Sequence, residues 1–79
     1  MTDGDLREAI LARVARLRPG TTCCPSEVAR ELSPDWRPLM APLRAAAVQL
    51  AREGRIAVTR KGAPADLDEL RGPIRLGRP

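Results

Sequence analysis

The spacing of apolar residues changes at Gly54, and that change constrains the fold more than any other feature of the chain. Before Gly54 apolar residues recur every three or four positions, and after it they alternate with polar ones. Leu6, Ile10, Val14 and Leu17 follow at spacings of four, four and three, with Ala9 and Ala12 beside them. Such a stripe is the core-facing side of an α-helix. A helix is expected over about residues 5–18, opened by Asp5 and Glu8 as a capping box and closed by Pro19-Gly20. Arg13, Arg16 and Arg18 would complement its C-terminal dipole.

A second helix is expected over about residues 25–32, with Pro25 at its first position and Val28, Ala29 and Leu32 facing inward. Thr21 and Thr22 are expected to cap it or to turn the chain before it. Ser33-Pro34-Asp35 breaks the chain, and a third helix is expected over about residues 37–53 from Leu39, Leu43, Ala46, Ala47 and Leu50. Pro42 lacks an N–H and crowds the preceding carbonyls, so an irregular first turn or a kink is expected there. Gly54 suits the left-handed residue that ends such a helix. Beyond it, Ile56 and Val58 alternate with polar neighbours, a strand signature over about residues 55–60. Lys61-Gly62 is a turn signal, residues 63–71 read as a loop with one helical turn within Pro64–Leu70, and residues 73–76 read as a second strand. Gly77-Arg78-Pro79 is left as a tail. Three helices and a two-stranded hairpin, joined by a short turn between the second and third helices, describe a mostly α, α+β domain: a winged helix-turn-helix over residues 1–79. An isolated hairpin is marginal in water, so the hairpin must pack on the helices.

Composition narrows the chemistry. The 79 residues include no His, Tyr or Phe, and Trp36 is the only aromatic. Without His there is no His-based acid–base pair, no Cys–His or Ser–His nucleophile and no His-ligated metal. One Trp cannot form a row of base-stacking rings; burial at the junction of the second and third helices is its first reading, stacking on a base or partner its second. Cys23 and Cys24 are adjacent, a spacing that disfavours a mutual disulfide, and two thiols alone cannot close a zinc site. They read as buried or half-buried thiols at a helix start, against a redox switch or an intermolecular metal site. Asp66, Asp68 and Glu69 lie in the expected loop and read as solvated, or paired with Arg71, rather than as catalytic carboxylates. The longest apolar run, Ala45 to Val48, is far too short to span a membrane, and the MTDGD start has no apolar signal core, so a cytoplasmic location is expected.

Several segments also resemble, in order, a small bacterial family, domain-of-unknown-function family 3253. They are Thr22-Cys23-Cys24-Pro25-Ser26-Glu27-Val28-Ala29, Asp35-Trp36-Arg37-Pro38-Leu39-Met40, Arg44-Ala45-Ala46-Ala47, Glu53-Gly54-Arg55-Ile56 and Arg71-Gly72-Pro73-Ile74-Arg75. The resemblance covers about residues 5–76 and implies a winged-helix-like domain with no assigned activity and no assigned catalytic residues. More loosely, Ser26–Leu32 and Gly54–Arg60 are similar to winged-helix transcriptional regulators, whose third helix enters the major groove.

The chain carries 14 Lys and Arg against 10 Asp and Glu, a formal charge of +4. From Trp36 to Lys61 six positive charges face only Glu53, leaving +5 on that stretch and −1 on the remainder. The excess therefore falls on the third helix and the first strand, where a winged helix meets DNA. Arg37 and Arg44 are the candidates on the third helix, Arg60 and Lys61 at the hairpin tip, and Arg75 on the second strand. The outer face of that helix offers Met40, Ala41, Ala45 and Val48 with one amide, Gln49, which is little to read base edges with. Weak, backbone-dominated binding to double-stranded DNA is therefore expected. The alternative is a protein-interaction winged helix that uses the Met40, Ala41 and Ala45 face to dimerise or dock on a protein partner. An enzyme would need Cys23 or Cys24 as a nucleophile without any His and is not expected, nor is a cofactor, a metal, a membrane or a small-molecule substrate.

Overall fold

In a computed structural model describing residues 1–79, Thr2 rather than Asp5 caps the first helix. The Thr2 hydroxyl accepts from the Asp5 N–H at 3.2 Å, while the Asp5 carboxylate accepts from the Thr2 N–H at 2.9 Å. The capping box thus lies one turn earlier than Asp5 and Glu8 would place it, and these hydrogen bonds hold the Asp5 carboxyl below its ordinary pKa. The helix, α1, spans Asp3–Ala15. It ends before Arg18 because the Arg16 and Leu17 amides donate three residues back, each at 3.1 Å, to Arg13 and Val14.

A two-residue strand, β1 (Thr22–Cys23), precedes the second helix, α2 (Pro25–Leu32). Neither threonine caps α2: the Thr21 hydroxyl donates to the Arg18 carbonyl at 2.7 Å, and Thr22 pairs in a sheet. Cys24 is the N-cap, its amide donating to the Glu27 carboxylate at 3.2 Å, with Pro25 at the first helical position. After the break at Ser33–Asp35 the chain makes a 3-10 turn, Arg37–Leu39, and then α3, Met40–Arg52. The irregular start expected from Pro42 is this 3-10 turn. Pro42 itself sits in the first turn of α3, where amides have no α-helical acceptor to lose. Gly54 (φ 75°) closes α3: its amide donates to Ala51 at 3.0 Å and the Arg55 amide to Leu50 at 2.9 Å, the paired bonds of a Schellman ending.

The sheet has four strands where two were expected. Besides β1 it holds β2 (Ala57–Arg60), β3 (Ala63–Pro64) and β4 (Arg75–Gly77), antiparallel in the order β1-β4-β2-β3. Strands of two residues are too short to show alternation, so β1 and β3 carry no sequence signature. β2 starts at Ala57 because Arg55 is held in the helix ending. Gly77, placed in a tail by sequence, pairs with both Thr22 and Ala57 in the middle of the sheet. Lys61 (φ 53°) and Gly62 (φ 79°) make the two-residue turn between β2 and β3, with the paired left-handed geometry that matches strand twist. No helix forms within Pro64–Leu70; the segment is held by turns, the Asp68 amide donating to the Asp66 carboxylate at 3.0 Å.

One core joins helices and sheet. Leu6, Ile10 and Val14 of α1 meet Leu43, Ala46, Ala47 and Leu50 of α3, with Val28 and Ala29 of α2 beside them. Ile56, Val58, Ile74 and Leu76 close the remaining side, and Cys23 is fully buried among them. Leu32 and Leu39, expected inside, are half-buried at its edge. Arg7 straps α1 to the end of α3, its two terminal nitrogens 2.9 and 2.7 Å from the Glu53 oxygens. Arg13 ties α1 to α2 through Glu27 and Glu31, both at 3.2 Å. No helix is long and apolar enough to cross a membrane.

Candidate nucleic-acid interface

Ion pairing divides the cationic residues into two sets. Arg7, Arg13, Arg16, Arg52, Arg55 and Arg71 each have a carboxylate within ion-pair distance. Within the +5 stretch this removes Arg52, bound to Asp68 at 2.5 Å, and Arg55, which faces Glu53 at 3.9 Å. Arg37, Arg44, Arg60, Lys61 and Arg75, the five residues singled out from sequence, all lack such a partner. The fold treats them differently: Arg37 stacks on Trp36, Arg44 and Arg60 meet at Gly72, Lys61 stands exposed at the turn, and Arg75 is bound to Thr22 and Cys24.

Arg37 turns back over Trp36. Its guanidinium carbon lies 4.7 Å from the ring centroid, and Arg30 of α2 lies over the same ring at 4.7 Å. Trp36 is half-buried against the core edge and already stacked by two guanidiniums, so its role is to join α2 to the start of α3. Arg37 therefore belongs to the 3-10 turn and engages Trp36, whereas Arg44 lies on α3, although the sequence places them two turns apart on one helix.

Arg44 and Arg60 come together at Gly72. Arg44 donates to the Gly72 carbonyl at 3.2 Å. The Arg60 guanidinium packs on the same residue, where a Cβ on Gly72 would stand 3.4 Å from its Nη2. Arg60 is thus drawn back from the hairpin tip, where sequence put it beside Lys61, onto the loop before β4. Its Nε is buried with no hydrogen-bond partner. Lys61 alone occupies the tip, exposed. Nothing in the sequence pointed to Gly72 as the meeting point, since it lies remote in chain position from both arginines.

Arg75 serves the fold. It donates to the Thr22 hydroxyl at 3.0 Å, the Thr22 carbonyl at 3.1 Å and the Cys24 sulfur at 3.0 Å, fastening β4 to β1 and to the start of α2. Arg78 acts similarly, donating to the Leu17 carbonyl at 2.6 Å and the Ala15 carbonyl at 3.3 Å, the exposed acceptors at the end of α1. Both cysteines are free thiols, and burial pushes the Cys23 thiol up from its ordinary pKa. The acidic loop is engaged within itself and with arginines: Glu69 binds Arg71 at 2.6 Å, and Asp68 binds Arg52. Across the whole chain no three Cys, Asp or Glu side chains converge in the way a metal ion requires. On the outer face of α3, Met40 is half-buried while Ala41 and Ala45 are exposed.

Fold and surface together define a small α+β domain of three helices on a four-stranded antiparallel sheet, with Arg44 of α3 and Arg60 and Lys61 at the β2–β3 turn among its cations without a carboxylate partner. The chain belongs to the protein family of unknown function DUF3253, whose family model matches residues 3–79, essentially its whole length. No curated protein matches it significantly.

Proposed function

We propose that the chain is a winged helix-turn-helix domain that binds the phosphate backbone of double-stranded DNA without reading its sequence. The order α1-β1-α2-α3-β2-β4, with sheet order β1-β4-β2, supports the winged-helix reading: β1 closes against the returning strand of the wing, and β3 is a small extra turn within it. The observation that carries the functional reading is the sorting of charge. Arginines on α1 and at the end of α3 are neutralised by carboxylates, whereas Arg44, Arg60 and Lys61 are not. Those three belong to α3 and the wing, the elements such a domain turns toward a duplex. Phosphate contacts give affinity and position but no sequence information, which agrees with the alanine-rich face of α3.

Fluorescence anisotropy with a mixed-sequence duplex tests this. Affinity should fall roughly tenfold or more between ~50 and ~200 mM salt, because neutralising even two or three phosphates releases counterions. Reversing Arg60 and Lys61 to Glu should weaken binding while the domain stays folded, and Arg52→Gln should leave binding unchanged. Absence of binding at ~50 mM salt would sink the proposal. The docking alternative has less behind it: Met1 is the only large hydrophobic side chain that is exposed, and Met40 packs partly on the core.

A further inference from the structure

We infer that Arg44, Arg60 and Gly72 form one phosphate seat, in which two guanidiniums share a single phosphate group. The inference rests on the DNA-backbone reading for the natural source of that phosphate, a phosphodiester.

Four observations converge on it. Arg44, from the middle of α3, and Arg60, from the end of β2, meet at one residue although far apart in the chain: Arg44 donates to the Gly72 carbonyl at 3.2 Å, and the Arg60 guanidinium lies 3.4 Å from where a Gly72 Cβ would stand. Neither has a carboxylate partner, and of the three carboxylates in the same loop Asp68 is taken by Arg52, Glu69 by Arg71, and Asp66 accepts from the Asp68 amide. Two like charges gathered at one residue repel, and an anion between them turns that repulsion into attraction. The Arg60 Nε is buried and unpartnered, so its guanidinium is partly desolvated with a donor unmet. A desolvated guanidinium gains more from an anion than a hydrated one does, and the planar fork suits phosphate oxygens.

Gly72 gives the loop the left-handed backbone on which both arginines rest. Its φ of 65° is left-handed, and a Cβ there would stand 3.4 Å from Arg60 Nη2 and 3.7 Å from Cζ. A Cβ at those distances makes ordinary contact, but an alanine would strain the left-handed backbone and so shift the loop on which Arg44 and Arg60 rest while leaving every charge in place. Gly72 is therefore a positioning residue, and Gly72→Ala separates geometry from net charge.

The test measures duplex affinity across a salt series for Arg44→Gln, Arg60→Gln, the double variant and Gly72→Ala, with folding checked by circular dichroism. In a second arm the wild type, labelled with 15N-arginine, is titrated with inorganic pyrophosphate and followed by NMR. A shared seat predicts that each Gln variant loses roughly tenfold in affinity. The double variant should lose little more than either single one, and its log–log salt slope should fall by about 0.9, the value for one phosphate. Gly72→Ala should resemble Arg60→Gln; should it fail to fold, the comparison of single and double variants decides alone. Pyrophosphate should move the Arg60 Nε signal in the wild type and not in Arg44→Gln. Multiplicative losses with a slope change of about 1.8 would mean two separate contacts and would overturn the inference. Duplex binding indifferent to all four variants would overturn it as well, leaving the DNA reading to stand on Lys61 and other cations. A wild type that binds no duplex, yet shows the pyrophosphate response, would keep the seat and remove the DNA reading.

Discussion

Replacing Leu76 by alanine tests the arrangement of the sheet directly. Leu76 is wholly buried on β4, opposite Cys23 of β1 and Val58 of β2, so it sits where three strands meet the helices. The substitution removes three carbons, worth about 2.4 kcal/mol at ~0.8 kcal/mol for each buried methylene. The cavity left behind adds to this, placing the total near 3 kcal/mol, within the ~2–5 kcal/mol typical of such core truncations. A domain of 79 residues has a total stability of about 4–12 kcal/mol. The melting temperature should therefore drop by roughly 12–24 °C, at ~4–8 °C per kcal/mol for a domain of this size. Thermal unfolding followed by far-UV circular dichroism measures it, with Leu17→Ala as reference. Leu17 belongs to the same apolar stripe by sequence but lies beyond the end of α1 and is only half-buried, so its truncation should cost clearly less. If Leu76→Ala melts no lower than Leu17→Ala, β4 is not the middle strand and the sheet order given above is wrong.

Two further outcomes follow from the side chains around the core. The Glu53 carboxyl is held below its ordinary pKa of 4.5, chiefly by the hydrogen bonds from Arg7. Its contribution to stability is therefore complete above the unfolded value and is lost as pH falls through the lowered folded value. The difference in melting temperature between wild type and Glu53→Gln should be constant near neutrality and narrow below about pH 4.5; a gap that stays open into strong acid would contradict the strap between α1 and α3. Cys23 is fully buried, with its thiol pushed up by burial, while Cys24 is partly exposed. A disulfide reagent should label one thiol quickly in the native protein and the second only on unfolding, with Cys24→Ser abolishing the fast phase. Equal rates for both would mean that β1 does not pack as described.

The helices were legible from sequence because each buries one stripe at helical spacing, and the stripes of α1, α2 and α3 are the ones that reach the core. Their ends were less legible. The N-terminal cap depended on which of several polar residues folded back, and Thr2 with Asp5 prevailed over Asp5 with Glu8. Pairing across the sheet was the least visible part. β1 is two residues long, and Gly77 has no side chain to signal burial, yet it pairs on both sides. A Cβ at Gly77 would stand 3.1 Å from Thr22 Cγ2, so the glycine is there for close strand approach and not as a flexible tail.

The candidate interface shows the same division between what one-dimensional pattern carries and what only the fold supplies. The charge count pointed to a stretch, Trp36 to Lys61, but could not say which of its six cations were available. Availability is a three-dimensional property. Arg52 and Arg55 lie in that stretch and are paired, whereas Arg44 and Arg60 lie in it and are not. The same holds outside it: Arg75 looked equally suited to a phosphate, yet its guanidinium is engaged with Thr22 and Cys24 across the sheet. A surface of exposed ion pairs contributes little to stability, each pair being worth about 0–1 kcal/mol. Its larger consequence here is subtractive: the pairs neutralise Arg7, Arg13 and Arg16 of α1 and Arg52 and Arg55 at the end of α3, and leave Arg44, Arg60 and Lys61 among the cations without a carboxylate partner. An arginine-rich composition alone would spread positive charge over the whole chain; the carboxylates paired with α1 and the end of α3 make that distribution uneven.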